Sequence, residues 1–309
     1  MRILFITANR IGDAVLSTGL LSYLVERHPA ARFTIAAGPA AASLFESVPR
    51  LDRIIVMRKK ALSAHWAALW AQCVGARWDI VVDLRRSAIA WLLFAGKRHV
   101  VPLPGEQMHR VEFLAATLGL SASPPAPTCW VSASDNAAAA ALLPDGGPIL
   151  AVGAAANWPG KQWRAEYFAE LIGRLTAADG ILPDARVAVF GAPDEREQVQ
   201  PVLDSLPPDR RIDLVGRTGL PLAAACLRRF ALYIGNDSGL MHVAAAVGVR
   251  LNVIYGSSTP EYTPPLTDKT VIHFKNLDCS PCFKRTCPLG HTECLTSISA
   301  EDVYEQMQG

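Results

Sequence analysis

The chain lacks the short motifs that mark several common enzyme classes. Its 309 residues contain no G-x-G-x-x-G, no G-x-x-x-x-G-K-[ST], no G-x-S-x-G and no two aspartates separated by one residue. The first three patterns mark dinucleotide-binding proteins, P-loop proteins and α/β-hydrolases. The fourth, D-x-D, would hold a divalent cation on a sugar diphosphate. Their absence argues against a dehydrogenase, a P-loop kinase, a hydrolase and a metal-dependent sugar transferase.

The sequence also has little net charge and no long apolar run. Thirty Lys and Arg residues against 28 Asp and Glu give a formal net charge of +2, which provides no global drive toward nucleic acid or membrane. The longest apolar stretch, around 88–96, is far shorter than the ~18 residues of a membrane span. The opening "MRILFIT" is typical of a first strand rather than a signal peptide. We therefore expect a soluble, cytoplasmic protein.

What is present is a regular alternation of strand and helix signals. Apolar strands separated by helices predict parallel sheets that are covered on both faces, hence an α/β fold. The length predicts two domains, and irregular proline- and glycine-rich breaks place the boundary near 145, giving domains 1–145 and 146–309. The terminal helix, about 299–307, could pack back on the first domain. Strands are predicted at 2–7, 32–38, 53–57, 79–85, 149–155, 186–190, 212–215, 231–234 and 251–255, and the later helices at 164–178, 194–205, 221–229 and 239–247.

The stretch "GNDSGLMH" (235–242) indicates an anion site between a strand and a helix. The first N–H groups of a helix have no partner within it, and the helix dipole places partial positive charge there. Gly239 would let a phosphate approach the backbone, Ser238 could donate its hydroxyl, and His242 lies one turn further on the same face. In the alternative interpretation Asp237 or Ser238 only caps the helix and His242 is a packed core residue.

Two further residues stand at predicted ends of strands. Lys161, in "WPGKQW", could neutralise a diphosphate as a point charge, although most lysines are merely solvated. Asp13, in "RIGDAV", lies at the start of the first helix, where a carboxylate is favoured by the dipole. It could serve as a general base or simply as a cap.

Five segments together resemble the ADP-heptose:lipopolysaccharide heptosyltransferases of glycosyltransferase family 9, most closely the heptosyltransferase II type. The segments, in chain order, are "RIGDAVLSTGLL", "PGKQW", "GNDSGLMHVAAAVGV", "YGSSTPEYTPP" and "CSPCFKRTCPLGHTECL". The resemblance implies the GT-B architecture, in which two Rossmann-like, doubly wound parallel-sheet domains face a central cleft. It also implies inverting, metal-independent transfer of a heptosyl group without a cofactor.

The resemblance also assigns expected roles. Asp13 would activate the acceptor hydroxyl, and the N-terminal domain would bind the acceptor. The C-terminal domain would bind the nucleotide sugar. Members of the family often carry hydroxyl residues shortly before the lysine; here Ala156 and Asn157 stand there, and Asn157 could donate to phosphate instead. The expected donor-binding residues are Lys161, Asn157, Asp237, Ser238, Gly239, His242, Thr218 and Glu195, with Thr218 near adenine and Glu195 near the ribose.

The expected partners are ADP-heptose, a lipid A–core glycolipid acceptor and, transiently, the inner face of the cytoplasmic membrane; no nucleic acid is expected. Such acceptors carry phosphates and carboxylates, so arginines at strand ends could form a basic rim around them: Arg10, Arg85, Arg86 and Arg110. Scattered, solvated arginines are the alternative. Two rival functions also remain, namely transfer of another nucleotide sugar and non-catalytic nucleotide-sugar binding.

Four of the seven cysteines lie close together near the C-terminus. Cys279, Cys282, Cys287 and Cys294 are separated by two, four and six residues, with His291 between the last two. The opening C-x2-C suggests metal ligands, but the later spacings do not fit a standard zinc ribbon. Reduced structural thiols are favoured, while a disulfide pair and a zinc knuckle remain open. Cys73, Cys129 and Cys226 are expected to be ordinary buried side chains.

Overall fold

A computed structural model describes residues 1–59, 61–103, 108–143 and 146–308. Contacts between residues separate the chain into two compact units, Met1–Ser132 and Ala133–Gly309. The boundary predicted near 145 lies outside the described residues. The two divisions differ by the helix Ala133–Leu142, which packs against the helix Leu220–Leu227 and therefore belongs to the second unit.

The first unit is a five-stranded parallel sheet flanked by helices. Its strands are β1 (Arg2–Ile6), β2 (Arg32–Ala37), β3 (Leu51–Val56), β4 (Trp78–Asp83) and β5 (Ala95–Val100), in the spatial order β3-β2-β1-β4-β5. Its helices are α1 (Ile11–Arg27), α2 (Ala64–Cys73), α3 (Ile89–Leu92) and α4 (Arg110–Ala115). Leu16, Leu20 and Leu24, which are four residues apart in α1, are all buried.

The second unit is built around a six-stranded parallel sheet. Its strands are β6 (Ile149–Gly153), β7 (Arg186–Val189), β8 (Arg211–Asp213), β9 (Leu232–Asn236), β10 (Leu251–Tyr255) and β11 (Thr270–Phe274), in the order β11-β10-β9-β6-β7-β8. The helices are α5 (Ala133–Leu142), α6 (Ala165–Thr176), α7 (Arg196–Asp204), α8 (Leu220–Leu227), α9 (Gly239–Ala246), α10 (Glu293–Thr296) and α11 (Ala300–Gln308).

The terminal helix packs within the second unit. α11 contacts α6 and β11, and its Val303 is fully buried in the core of that unit. A side-chain pair reinforces the contact with α6, because Arg174 binds Glu301. The expectation that this helix could also pack back on the first domain stays a prediction.

The predicted fold class is confirmed: both sheets are parallel, and all nine predicted strands are present within a few residues of their predicted ends. Two strands were not predicted, β5 and β11, and each lies at the edge of its sheet. In the described ranges, none of the helices combines the length and the apolar character that crossing a membrane requires.

The strand orders determine where functional loops collect. In a doubly wound sheet, ligands bind beyond the carboxyl ends of the strands, at the point where the direction of strand addition reverses. That reversal falls between β1 and β4 in the first unit and between β6 and β9 in the second. The segments that directly follow these four strands carry Asp13, Arg85, Lys161 and Asp237.

Candidate functional site

The second unit brings Lys161 and Asp237 together. Lys161 ends the short turn Pro159–Lys161 that follows β6, and Asp237 follows β9, the neighbouring strand. The Lys161 ammonium forms an ion pair with Asp237 Oδ2, and the two side chains are only 16% and 8% exposed. Because an ammonium has three donors, Lys161 can bind Asp237 and still donate to a ligand.

Neighbouring side chains hold this pair in place. The Ser258 hydroxyl donates to Asp237 Oδ2 at 2.6 Å. Asn236, which is fully buried, accepts a hydrogen bond from the Trp163 backbone N–H at 3.1 Å and donates to the Ala154 carbonyl at 2.6 Å. These bonds join the loop after β6 to the end of β9, so the separation of Lys161 and Asp237 is fixed by the sheet itself.

The start of α9 lies beside the pair. Ser238 is the N-cap residue, in extended conformation, but its side chain makes no capping hydrogen bond. The Asp237 carboxylate is engaged by Lys161 and Ser258. Neither residue therefore behaves as the simple side-chain cap of the alternative interpretation. Ser238 and Gly239 are half-buried, whereas His242, one turn into the helix, is almost fully buried.

A buried tyrosine behind this helix start was missed by the sequence analysis. Tyr233 on β9 is fully buried, and its phenol passes between Gly153 and Gly235, which are paired in the sheet. A Cβ atom at either glycine would stand 2.1 or 2.5 Å from the phenol oxygen, so only glycine fits there. Burial raises the pKa of Tyr233, the nearby Ser238 side chain lowers it, and the charges of Asp237 and Glu195 raise it further. In the sequence, the signal that could have revealed this tyrosine is the pair of glycines near the ends of β6 and β9, Gly153 and Gly235.

The other predicted donor-binding residues lie on loops of the same unit. Asn157 is exposed on the loop that carries Lys161. Thr218 is half-buried in the loop between β8 and α8. Glu195 accepts a hydrogen bond from the Ala192 backbone N–H at 2.8 Å and so closes the turn before α7. Their contacts with adenine, ribose or phosphate stay predictions.

In the first unit, Asp13 and the predicted arginines surround one cavity. Its volume is about 440 Å³, and its lining includes all five residues proposed for this domain, Arg10, Asp13, Arg85, Arg86 and Arg110. Asp13 lies in the first turn of α1, and its Oδ1 is 3.8 Å from Arg110 Nε, with each side chain 34% exposed. The cavity therefore combines one accessible carboxylate with a strongly cationic wall.

A buried aspartate shapes this wall and was also missed. Asp83 ends β4 and is fully buried. It accepts hydrogen bonds from the backbone N–H groups of Arg85 and Ser87, each at 2.8 Å, and from the Ser87 hydroxyl at 2.7 Å. Burial raises the pKa of Asp83, and these hydrogen bonds oppose the rise.

Arg85 and Arg86, which follow β4, differ in their contacts and backbone conformation. Arg85 Nη1 donates to Asn9 Oδ1 at 2.9 Å, which ties the loop after β4 to the loop after β1. Arg86 adopts a left-handed backbone conformation with φ 52°, which non-glycine residues seldom do and which turns it away from the strand direction. Arg10 and Arg86 are exposed, whereas Arg85 and Arg110 are half-buried.

All seven cysteines lie within the described residues, and none of them forms a disulfide. The expectation that Cys73, Cys129 and Cys226 are buried is confirmed. The other four are half-buried around one small cavity.

Comparison with known proteins identifies the family. The family model described as glycosyltransferase family 9 (heptosyltransferase) matches residues 42–293. Lipooligosaccharide heptosyltransferase 2 of Haemophilus influenzae is 35% identical over 153 residues, which are 48% of this chain and 43% of that protein. Lipopolysaccharide heptosyltransferase 2 of Escherichia coli K12 is 30% identical over 152 residues, or 48% of this chain and 42% of that protein. These matches thus span less than half of either relative.

Solved structures show the same fold over the full chain. A family 9 glycosyltransferase from Veillonella parvula superposes with a TM-score of 0.79 at 24% identity, covering 99% of this chain and 96% of its own. The E. coli ADP-heptose LPS heptosyltransferase II superposes with a TM-score of 0.77 at 23% identity, covering 100% and 98%. The expected GT-B class of two parallel-sheet domains is therefore confirmed.

Proposed function

Because the chain belongs to glycosyltransferase family 9, we propose that it transfers a heptosyl group from ADP-heptose to the inner core of lipopolysaccharide. The observation that carries the proposal is the grouping of Lys161, Asp237 and Ser258 beside the start of α9, at the reversal point of the second sheet. The curated relatives named above are heptosyltransferases, and one matched structure is an ADP-heptose enzyme.

The second unit would hold the donor through its diphosphate. The first N–H groups of α9 and the Ser238 hydroxyl provide hydrogen-bond donors, and Lys161 provides a positive charge. As the bond between sugar and phosphate breaks, negative charge develops on the departing ADP. Donors that are already in position stabilise this charge without reorganising, which is commonly the largest catalytic effect in sites of this kind.

The first unit would hold the acceptor and remove its proton. The arginines around the 440 Å³ cavity suit the phosphates and carboxylates of an inner-core oligosaccharide. Asp13 would take the proton of the acceptor hydroxyl as its oxygen attacks the anomeric carbon, and ADP leaves from the opposite face. Configuration at that carbon is inverted in a single displacement.

Turnover with defined substrates tests this proposal. Wild-type protein is incubated with a heptosylated core acceptor and with ADP-heptose, or with a UDP or GDP sugar. The release of the nucleoside diphosphate, the product mass and, by NMR, the anomeric configuration of the product are measured. We expect product from ADP-heptose only, with the configuration inverted. Product from another nucleotide sugar would establish the same-family alternative. Folded protein that binds ADP without forming any product would be a binding protein rather than a transferase.

A further inference from the structure

A second, largely apolar cavity of the first unit adjoins the one that contains Asp13. Its volume is about 500 Å³. Most of its lining residues are apolar and lie on α2, on α3 or directly before α3: Trp66, Ala67, Trp70, Ala88, Ile89 and Leu92. Arg85 and Arg86 line both cavities, which therefore meet at these two residues. Mostly apolar clefts of this size that contain a few polar groups are typical ligand sites.

Hydrogen bonds hold the wall of this apolar cavity in place. Trp70 Nε1, on α2, donates to the Leu92 carbonyl of α3 at 3.2 Å and so ties the two helices together. The Arg98 guanidinium donates to three backbone carbonyls between positions 90 and 95, at 2.8 to 3.0 Å, and closes the turn after α3. The cavity is therefore already formed before any ligand arrives.

Large apolar side chains continue from the cavity onto the surface of the first unit. Trp91 is 68% exposed, Leu92 60% and Phe94 79%, whereas Leu93 between them is buried. Single exposed apolar side chains are ordinary, but a group of them next to an apolar cavity marks a binding surface. An apolar ligand in the cavity would remove part of this surface from water.

The two arginines at the edge of the apolar cavity have no carboxylate partner. Among the described residues, neither Arg85 nor Arg86 forms an ion pair. Asp83, close by in the chain, is buried and accepts backbone hydrogen bonds instead. The Arg85 side chain contacts only neutral groups, namely Asn9 Oδ1 at 2.9 Å and the Trp66 ring at 5.7 Å from its centroid. Two cations without a counter-charge beside an apolar cavity suit a ligand that joins an anionic group to an apolar chain.

We propose that the apolar cavity binds a hydrocarbon chain of an anionic amphiphile, and that Arg85 and Arg86 bind the phosphate or carboxylate group near that chain. Trp66, Trp70 and Leu92 would cover the chain and exclude water from it. The identity of the amphiphile rests on the proposed function: it is the glycolipid acceptor, whose sugars would occupy the cavity around Asp13. The first unit would then select its acceptor by the lipid part as well as by the sugars.

Alkyl phosphates test the cavity without any transfer reaction. Calorimetric titrations use octyl and decyl phosphate below their micelle-forming concentrations, with inorganic phosphate and neutral decyl maltoside for comparison. We expect decyl phosphate to bind about tenfold more tightly than octyl phosphate, the gain from two buried methylene groups. Inorganic phosphate and decyl maltoside should both bind more weakly than decyl phosphate. Equal affinities for octyl and decyl phosphate would overturn the proposal.

Two variants separate the apolar part of the site from its charge. Leu92→Ser should reduce the gain from octyl to decyl phosphate to about threefold. Leu289→Ser, at a leucine of the second unit with nearly the same exposure, 62%, is the control and should keep the tenfold gain. Arg86→Gln should weaken binding of decyl phosphate about fivefold and leave that of decyl maltoside unchanged. An unchanged gain in Leu92→Ser would place the chain elsewhere and overturn the proposal.

A photoreactive probe locates the chain in wild-type protein, whether or not the variants fold. Decyl phosphate with a diazirine at the end of its chain is irradiated with the protein, and peptide mass analysis should find the label within 64–94. Label confined to other segments would contradict the proposal. So would binding to phosphatidylglycerol vesicles without binding of monomeric decyl phosphate, which would assign this face to a bilayer. A dimer that Leu92→Ser dissociates would assign it to a second copy of the chain, with the same consequence.

The link to the acceptor is tested separately, by removing the acyl chains of the acceptor. In wild type, the deacylated acceptor should have a KM about tenfold higher with an unchanged kcat, and Leu92→Ser should reduce this difference. Equal KM values for the two acceptors, with alkyl phosphate still bound in the cavity, would show that the amphiphile is not the acceptor. Failure to transfer to either acceptor would instead contradict the proposed function.

Discussion

At the scale of single residues, Asp13 differs from an ordinary helix-start carboxylate in its neighbours. It lies in the first turn of α1 but borders a cavity with arginines, and Arg110 is its ion-pair partner at 3.8 Å. Its exposure of 34% leaves room for an incoming hydroxyl.

Replacing Asp13 with asparagine keeps the shape of the side chain and removes the base. We expect Asp13→Asn to lower the rate of transfer by about 10²–10⁴, the usual contribution of a positioned general base, without weakening ADP binding. Initial rates and ADP titrations measure the two effects. Glu46→Gln, at an exposed carboxylate of the same unit, is the control and should leave both unchanged. Undiminished transfer by Asp13→Asn would remove Asp13 from the mechanism.

A second prediction at the scale of single residues concerns the phenol of Tyr233. The oxygen is fully buried and has no hydrogen bond of normal geometry, although Ser238 is near enough to shift its pKa. Tyr233→Phe should therefore be at least as stable as wild type in urea, because a buried unsatisfied hydroxyl costs about 1–3 kcal/mol.

If the phenol also orients Ser238 toward a bound diphosphate, the same variant should bind ADP about fivefold more weakly, the equivalent of one hydrogen bond of ~1 kcal/mol. Calorimetric titration with ADP measures this. Equal affinity of the two proteins would show that Tyr233 acts in packing alone.

At the scale of elements, β11 carries a buried histidine that links it to its neighbour. His273 Nε2 and Asn252 Oδ1, on adjacent strands, are 2.9 Å apart, and both side chains are buried. Burial lowers the pKa of His273 from 6.5 to about 4, while Gln306 and Asp302 of α11 act in the opposite direction. The strand is therefore held by an imidazole that must stay neutral.

This histidine should make the fold sensitive to mild acid. Because its pKa is lower in the folded chain, the unfolded chain takes up the proton first as the pH falls. Stability that is complete above pH 6.5 should decline by up to ~3 kcal/mol on the way to pH 4. Urea unfolding at a series of pH values measures this. His273→Gln, which retains a donor for Asn252, should flatten the profile; an equally steep decline in the variant would assign the effect elsewhere.

Most strands that the sequence predicts are central, and the two that it misses lie at sheet edges. Seven of the nine predicted strands are central and have apolar runs because they are covered on both faces, while β3 and β8 are edge strands whose apolar residues still gave a signal. β5 reads Ala-Gly-Lys-Arg-His-Val and pairs only with β4, and such edge strands tolerate charge and so carry little hydrophobic signal. β11 is likewise an edge strand, and it follows a long irregular segment after β10.

Part of the candidate site could also be predicted from the sequence. The loops after neighbouring parallel strands meet at one edge, which is why Lys161 and Asp237, 76 positions apart, could be placed together from sequence. The sequence could not predict that Ser258, Asp83 and Tyr233 belong to the site, because their roles depend on the directions of their side chains and on the register of the strands across the sheet. The pairing of Gly153 with Gly235 around the Tyr233 phenol exists only once β6 and β9 are aligned.

At the scale of the whole molecule, the proposed chemistry relies on protein cations where other sugar transferases use a divalent metal at D-x-D. In the proposed function, Lys161 and the start of α9 would supply positive charge to the donor, and the arginines of the first unit would supply it to the acceptor. Transfer should therefore proceed at full rate without added magnesium. Initial rates across a magnesium series measure this, and a strict requirement for the ion would contradict the proposed site.

The central claim is that Lys161 and the start of α9 grip the pyrophosphate of a nucleotide sugar. Its most direct test is calorimetric titration of wild type, Lys161→Ala and the exposed-lysine control Lys269→Ala with ADP and with adenosine. We expect wild type and the control to bind ADP far more tightly than adenosine, and Lys161→Ala to lose most of that difference, by about 10²-fold, while its affinity for adenosine stays the same. If Lys161→Ala binds ADP as tightly as wild type, the diphosphate is not held there and the account is wrong.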